Sequence, residues 1–338
     1  MDFIKVKQCV PYECINLKKW KKKMYIDEET GETKEYLIAF IKKLKVTYSF
    51  LTQSVYIQGR IINLVEDSYY LNFDDFQNYR LLIKKCFDVA NDKLNKLFTD
   101  DFRIDISQST VTQIEYCFNI ETEYKSEYIK MLNLIYAQNR ESRFKRYSNF
   151  TVEEGIDLES SFYLKTKTDY TQNKKINFCL NIYDKQNQLL NKSKRHNSDK
   201  NKSKILADAK SSENILRIEY KAYYESIRLL CKKFKISNTL ENLFDINIAQ
   251  HIVINKLKCF FGECDFYSKS IAERKINNKI TLDLNVPYEE LSVYKRSKRR
   301  KILEGNNICP YGFIPEDWNV EVLINPIKLI EMKVRTMI

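Results

Sequence analysis

Apolar and polar residues alternate with period two over several short stretches, and each such stretch predicts a strand with one buried face. The clearest cover residues 54–64, 110–120, 162–167, 174–185 and 215–221, with weaker ones at 2–12 and 103–106. Within 110–120, Val111, Gln113, Glu115, Cys117 and Asn119 share one face, while Ile114, Tyr116, Phe118 and Ile120 share the other. Within 215–221, Leu216, Ile218 and Tyr220 oppose Arg217, Glu219 and Lys221. Elsewhere the apolar period is helical. Leu81, Leu82, Cys86, Val89, Leu94 and Leu97 predict an amphipathic helix within 73–98, and Tyr128, Ile129, Leu132, Ile135 and Tyr136 predict another over 126–138. Three more helices are predicted at 223–234, 240–244 and 246–261.

The stretches at 162–167 and 174–185 are spaced for an antiparallel hairpin. Gly59, inside an apolar strand, marks a bulge or a close backbone contact. Residues 186–214 are dense in Lys, Asn and Ser, which predicts a mobile loop. No Gly-rich phosphate loop follows any strand, and strands are joined by hairpins or single helices. This order predicts an α+β protein: an antiparallel sheet with helices packed on one face over residues 1–222, followed by a mostly helical region over 223–338. A chain of 338 residues is long enough for two such units.

Charge narrows the choice of partner. Lys and Arg number 57 against 45 Asp and Glu, a net charge of +12, and the basic residues cluster with tyrosines among them. That pattern favours a polyanion such as nucleic acid, since neutralised phosphates release counterions; a merely soluble basic surface is the alternative. The clusters are 18–23 around Trp20, then Arg143, Lys145 and Arg146, and finally Lys295, Arg296, Lys298, Arg299, Arg300 and Lys301. The first could grip a phosphate backbone or be a solvated loop. No apolar run reaches the ~18 residues of a membrane span and no signal-peptide core opens the chain, so a cytoplasmic location without membrane contact is expected. Nine cysteines without a CxxC pair, and only two histidines, predict reduced thiols and no structural zinc.

The strands at 174–185 and 215–221 would bring a tyrosine, a lysine, an arginine and a carboxylate together: Tyr183, Lys185, Arg217 and Glu219. Residue types alone leave two readings. The group is an active site, or Tyr183, one of 23 tyrosines, packs a strand end while Arg217 and Glu219 form a surface ion pair.

Four segments in order, TQIEYCFNIE at 112–121, FYLKTKT at 162–168, NIYDK at 181–185 and LRIE at 216–219, resemble the rolling-circle replication initiators of small bacterial plasmids and the related replication proteins of filamentous phages. The resemblance spans roughly residues 50 to 260. It implies a metal-dependent DNA strand transferase in which Tyr183 is the nucleophile, leaving a 5′-phosphotyrosyl link and a free 3′-OH. Glu115 and Glu219 would hold Mg2+ or Mn2+, with Lys185 and Arg217 assisting. Where many of these initiators carry an Asp, this chain has Asn119. The implied partners are origin DNA, a host helicase and a second copy of the chain, with 1–222 the nicking domain and 223–338 the origin-recognition region. A non-catalytic, sequence-specific DNA-binding initiator or regulator is the alternative, with an RNA-binding protein behind it.

Overall fold

The computed structural model describes residues 3–26, 31–71, 73–139, 161–165, 178–195, 198–276, 282, 284–286 and 288–335. Its main feature is a nine-stranded sheet in which every neighbouring pair is antiparallel. In chain order the strands are β1 (Phe3–Cys9), β2 (Lys21–Ile26), β3 (Thr33–Ile41), β4 (Leu44–Ser49), β5 (Ser54–Gly59), β6 (Thr110–Glu121), β7 (Ser161–Lys165), β8 (Phe178–Asp184) and β9 (Ile215–Tyr223). They lie in the spatial order β2-β3-β4-β5-β1-β6-β9-β8-β7. The α+β class read from the alternation is therefore the observed one. The strand expected at 54–64 stops at Gly59, after which Ile61–Leu64 turns into a 3-10 helix. The short strand expected at 103–106 is absent; Asp105 instead accepts from the Ser107 N–H and starts a 3-10 turn, Ile106–Gln108.

Between β5 and β6 runs α1 (Tyr79–Asn95), and between β6 and β7 runs α2 (Lys125–Asn139). The stretch expected to be a mobile loop is a helical hairpin, α3 (Lys185–Lys194) and α4 (Asp199–Ser211). Its few apolar residues suffice because Leu189, Ile205 and Ala209 form a thin buried seam that packs on Tyr69 and Tyr70. Polar, unbranched residues elsewhere are compatible with a helix that exposes most of its surface.

After β9 come α5 (Tyr224–Phe234), α6 (Leu240–Leu243), α7 (Ile246–Phe261), β10 (Phe266–Tyr267), α8 (Lys269–Lys275), α9 (Val293–Gly305), β11 (Val322–Leu323) and α10 (Pro326–Arg335). The main core runs straight across the boundary expected at 222. Ile227 of α5, Ile252 of α7 and Val334 of α10 belong to the same apolar cluster as Ile114, Tyr116 and Phe118 of β6. Phe162 on β7 meets Phe261 of α7 and Tyr136 of α2 edge-on, at 5.3 and 6.1 Å between ring centroids. The C-terminal region holds a smaller core of its own around Tyr267, Ala272, Ile276, Leu303 and Ile308. All nine cysteines are free thiols. Among the described residues no helix is long and apolar enough to cross a membrane.

Gly59 shows why the sheet tolerates one residue only at that point. Its φ is +145°, and a Cβ there would lie 2.9 Å from Leu44 Cδ2 and 3.0 Å from the Lys43 carbonyl oxygen. Both the backbone region and the space exclude a side chain. Gly59→Ala is expected to cost about 2 kcal/mol of folding stability, read as a lower urea midpoint; an unchanged midpoint would mean that β4 and β5 separate freely here.

Candidate active site on one sheet face

Alternation along β9 sends Arg217, Glu219, Lys221 and Tyr223 to the face away from the α7 core. Register decides what stands beside each. Arg217 lies between Asn119 of β6 and Tyr183 of β8; Glu219 lies between Cys117 and Asn181; Lys221 lies between Glu115 and Cys179. Cross-strand partners share a face, so Tyr183, Glu115 and Glu219 are on one surface, as the sequence predicts.

At its centre is Arg217, fully buried on this face. Its Nε donates to Asn119 Oδ1 at 2.8 Å and its Nη2 to the Tyr70 carbonyl oxygen at 2.8 Å, while Nη1 lies 3.8 Å from Glu219 Oε1. Asn119 in turn donates to the Tyr70 oxygen at 3.0 Å and to Asp75 Oδ2 at 2.6 Å. Lys333 of α10 closes the network, donating to Asp75 Oδ1 at 2.9 Å and to the Asn119 oxygen at 2.5 Å. The surface ion pair considered from sequence is thus an interior one. Asn119 is its strut.

The Tyr183 hydroxyl donates to Glu219 Oε1 at 2.5 Å. Tyr183 is 5% exposed and lines an open cleft of about 580 Å3 together with Tyr163, Asn181, Lys192 of α3 and Arg195 at its C-terminal cap. The two residues after Tyr183 build the junction to α3. Asp184 caps the helix by accepting from the Asn187 N–H at 3.1 Å and pairs with Lys125 at 2.9 Å. Lys185 is buried, donates to Gln188 Oε1 at 2.8 Å and sits 5.7 Å from the centre of the Tyr183 ring.

Glu115 does not meet Glu219 directly. Lys221 stands beside it, its Nζ 2.8 Å from Glu115 Oε2. Burial alone would depress the Lys221 pKa, but the charge and hydrogen bond of Glu115 outweigh it and the net shift is upward from 10.5. Among the described residues no group of three His, Cys, Asp or Glu side chains could hold a metal ion.

The predicted basic clusters divide. On α9, Lys295, Lys298, Arg300 and Lys301 are exposed, Arg296 is half-buried with its Nε on the Leu291 oxygen, and Arg299 is buried, donating to the Val286 oxygen at 2.6 Å. Arg299 is therefore a structural residue and not a phosphate contact. Arg143, Lys145 and Arg146 lie outside the described residues. Trp20 turns inward, its Nε1 donating to the Leu97 oxygen at 2.9 Å. Sequence reasoning missed Tyr70, Asp75 and Lys333, which carry no local signal. It also missed Lys192 and Arg195, whose three-residue spacing places both on one side of a helix once α3 is known to continue from Tyr183.

Compared with known proteins, the chain matches no family model, no curated protein and no solved structure.

Two outcomes follow from this geometry. Arg217→Met leaves the Glu219 charge uncompensated and removes the donor to Asn119 Oδ1, and should cost about 3–5 kcal/mol in urea unfolding; a loss under about 1 kcal/mol would show that water replaces the guanidinium. For Lys221 the folded pKa lies above the unfolded one, so its contribution is complete below pH 10.5 and is lost as pH rises through the folded value. Glu115→Gln should therefore be less stable than the wild type at about pH 8, with the gap narrowing by about pH 11. A gap independent of pH would dissociate the pair from stability.

Proposed function

We propose that the chain is a rolling-circle replication initiator that cuts and rejoins one strand of origin DNA through Tyr183. The observation that carries the reading is the Tyr183 hydroxyl donating to Glu219 at the wall of a polar cleft. A phenol with an ordinary pKa near ~10 is a poor nucleophile at neutral pH and needs a base in contact. Glu219 is that base, and Arg217, held by hydrogen bonds to Asn119 and the Tyr70 carbonyl oxygen, keeps a positive charge 3.8 Å from it.

In the forward step Tyr183 Oη forms a bond to phosphorus and its proton passes to Glu219 Oε1. The bond from phosphorus to the 3′ oxygen breaks, and that oxygen leaves with the bonding pair and takes a proton from solvent. The products are a 5′-phosphotyrosyl link and a 3′-OH. Rejoining runs the same path backwards, with Glu219 returning the proton to Tyr183. Lys192 of α3 and Arg195 at its C-terminal cap, both lining the cleft, supply positive charge for the phosphate oxygens. Arg217 is a positioning residue, because it is sealed under the Tyr70 loop.

The resemblance that suggests this reading also implies Mg2+ or Mn2+ on Glu115 and Glu219. These two residues do not fit that role as they stand, since Lys221 occupies one carboxylate and the Arg217 guanidinium lies against the other. A second cation between them would be repelled by both, so no step is derived through a metal here.

The test is covalent capture. Single-stranded DNA labelled at its 3′ end, incubated with the protein in the presence and absence of Mn2+, should yield an adduct that survives denaturation. Tyr183→Phe should give none while keeping DNA affinity, and Glu219→Gln should slow adduct formation by about 10²–10⁴. An adduct from Tyr183→Phe would transfer the nucleophile to another tyrosine, Tyr163 on β7 being the nearest alternative on this face. No adduct from the wild type under either condition would leave the non-catalytic DNA-binding initiator as the reading.

A further inference from the structure

The face that carries Tyr183 continues without interruption across β6 onto the five N-terminal strands. Register traces it: Tyr223 pairs with Gln113, Gln113 with Lys5, Lys5 with Gln58 and Gln58 with Lys45. One step along, Lys7 pairs with Tyr56, Tyr56 with Thr47, Thr47 with Ile38 and Ile38 with Lys21. The strands β1 to β5 contain seven lysines, and six of them, Lys5, Lys7, Lys21, Lys23, Lys34 and Lys45, fall on this face. The seventh, Lys22, is on the other face, paired at 2.7 Å with Glu35, the one acidic residue of these five strands. The shared face therefore carries cations and no carboxylate over β1 to β5.

Aromatic rings stand among the lysines. Tyr25, Tyr36, Phe40 and Tyr56 are on the same face by the same pairing. Phe40 is 66% and Tyr25 50% exposed, and Tyr36 and Tyr56 are half-buried. Lys5 and Lys7 flank the Tyr56 ring, their ammonium groups 6.0 and 5.8 Å from its centre. A core face would not leave Phe40 in water, and a merely solvated face would not concentrate rings between like charges.

We infer that this face of β1 to β5 is a binding track for single-stranded DNA, with bases stacking on Tyr56 and its aromatic neighbours and phosphates meeting the lysines. Exposed rings on a sheet can stack only with bases that are not already paired, which selects a single strand over a duplex. The direction of the track rests on the function proposed above. Tyr56 on β5 is four strand spacings from Tyr183 on β8, about 19 Å across the sheet. Register sets Tyr56 level with Thr110 and Tyr183 level with Asn119, about 30 Å apart along β6, so a strand joining the track to the nucleophile would run diagonally over the sheet.

The experiment is fluorescence anisotropy with a labelled oligothymidine of about 20 nucleotides, titrated at several salt concentrations. Tyr56→Ala should weaken binding about tenfold, and Tyr56→Phe, which keeps the ring, should bind as the wild type does. The double variant Lys5→Gln with Lys7→Gln should lower the slope of log affinity against log salt by about 1.4. Tighter binding to duplex DNA or to oligouridine, or wild-type affinity and salt slope in both variants, overturns the track. These outcomes are separate from those of covalent capture. If the variants weaken as expected and no adduct ever forms, the track stands and the nicking reading falls; if the adduct forms and the variants bind normally, the reverse holds.

Discussion

A buried guanidinium governs this molecule. Among the described residues Arg217 is the largest side chain with no solvent exposure, and its desolvation is tolerable only because three of its surroundings answer it: Asn119 on the neighbouring strand, the Tyr70 backbone above and Glu219 beside it. Each of those groups is held in turn, Asn119 by Asp75 and Lys333, and Glu219 by the Tyr183 hydroxyl. A charge removed from water needs excellent geometry to break even, so the network demands that β6, β8, β9, α10 and the segments that carry Tyr70 and Asp75 all arrive in one register. Conformational specificity at this point and the alignment of tyrosine with carboxylate are the same requirement.

The sheet meets that requirement by treating its two faces differently. One is wholly apolar from Ile4 through Ile114 and Ile218 to Ile182 and is roofed by α2, α5, α7 and α10. The other carries polar or charged residues on every strand, with the aromatic rings of β2, β3 and β5 among them. It is closed over Arg217 by the loop that bears Tyr70, which the α3–α4 hairpin props up through Leu189, Ile205 and Ala209. The hairpin also clamps the same loop by charge, with Asp67 between Lys43 and Lys204; hydrogen bonds from both lysines hold its carboxyl down to about 2. The site thus combines a floor of paired strands with a wall that belongs to a small helical unit.

The C-terminal helices serve both faces. Through Ile330 and Val334, α10 completes the apolar roof, and from the same helix Lys333 reaches Asp75 and Asn119 on the polar side. Past α7, the small core around Leu303 turns Arg299 inward and leaves Lys295, Lys298 and Lys301 outward. A basic run in a sequence therefore mixes two kinds of residue. Only the helix geometry tells which of them can touch a ligand.

Period-two alternation is a local property, and it was enough to mark β1, β5, β6, β7, β8 and β9, to separate their faces, and to place Tyr183, Glu115 and Glu219 on one side. Helical spacing likewise located α1, α2, α5, α6 and α7. The α3–α4 hairpin escaped because its seam has too few apolar residues to show a period, and its stability comes from Tyr69 and Tyr70, more than a hundred residues earlier. Whether Arg217 and Glu219 were a surface pair or a buried one also could not be read locally. That depends on Tyr70, Asp75 and Lys333, which lie up to 214 positions from the strand residue they support. The sequence by itself determined which residues share a face, because side-chain direction follows from the backbone repeat. Only the tertiary structure decided what covers that face, how the lysines of β1 to β5 join it, and which carboxylate meets the tyrosine, because strand order and loop placement are set by contacts between distant parts of the chain.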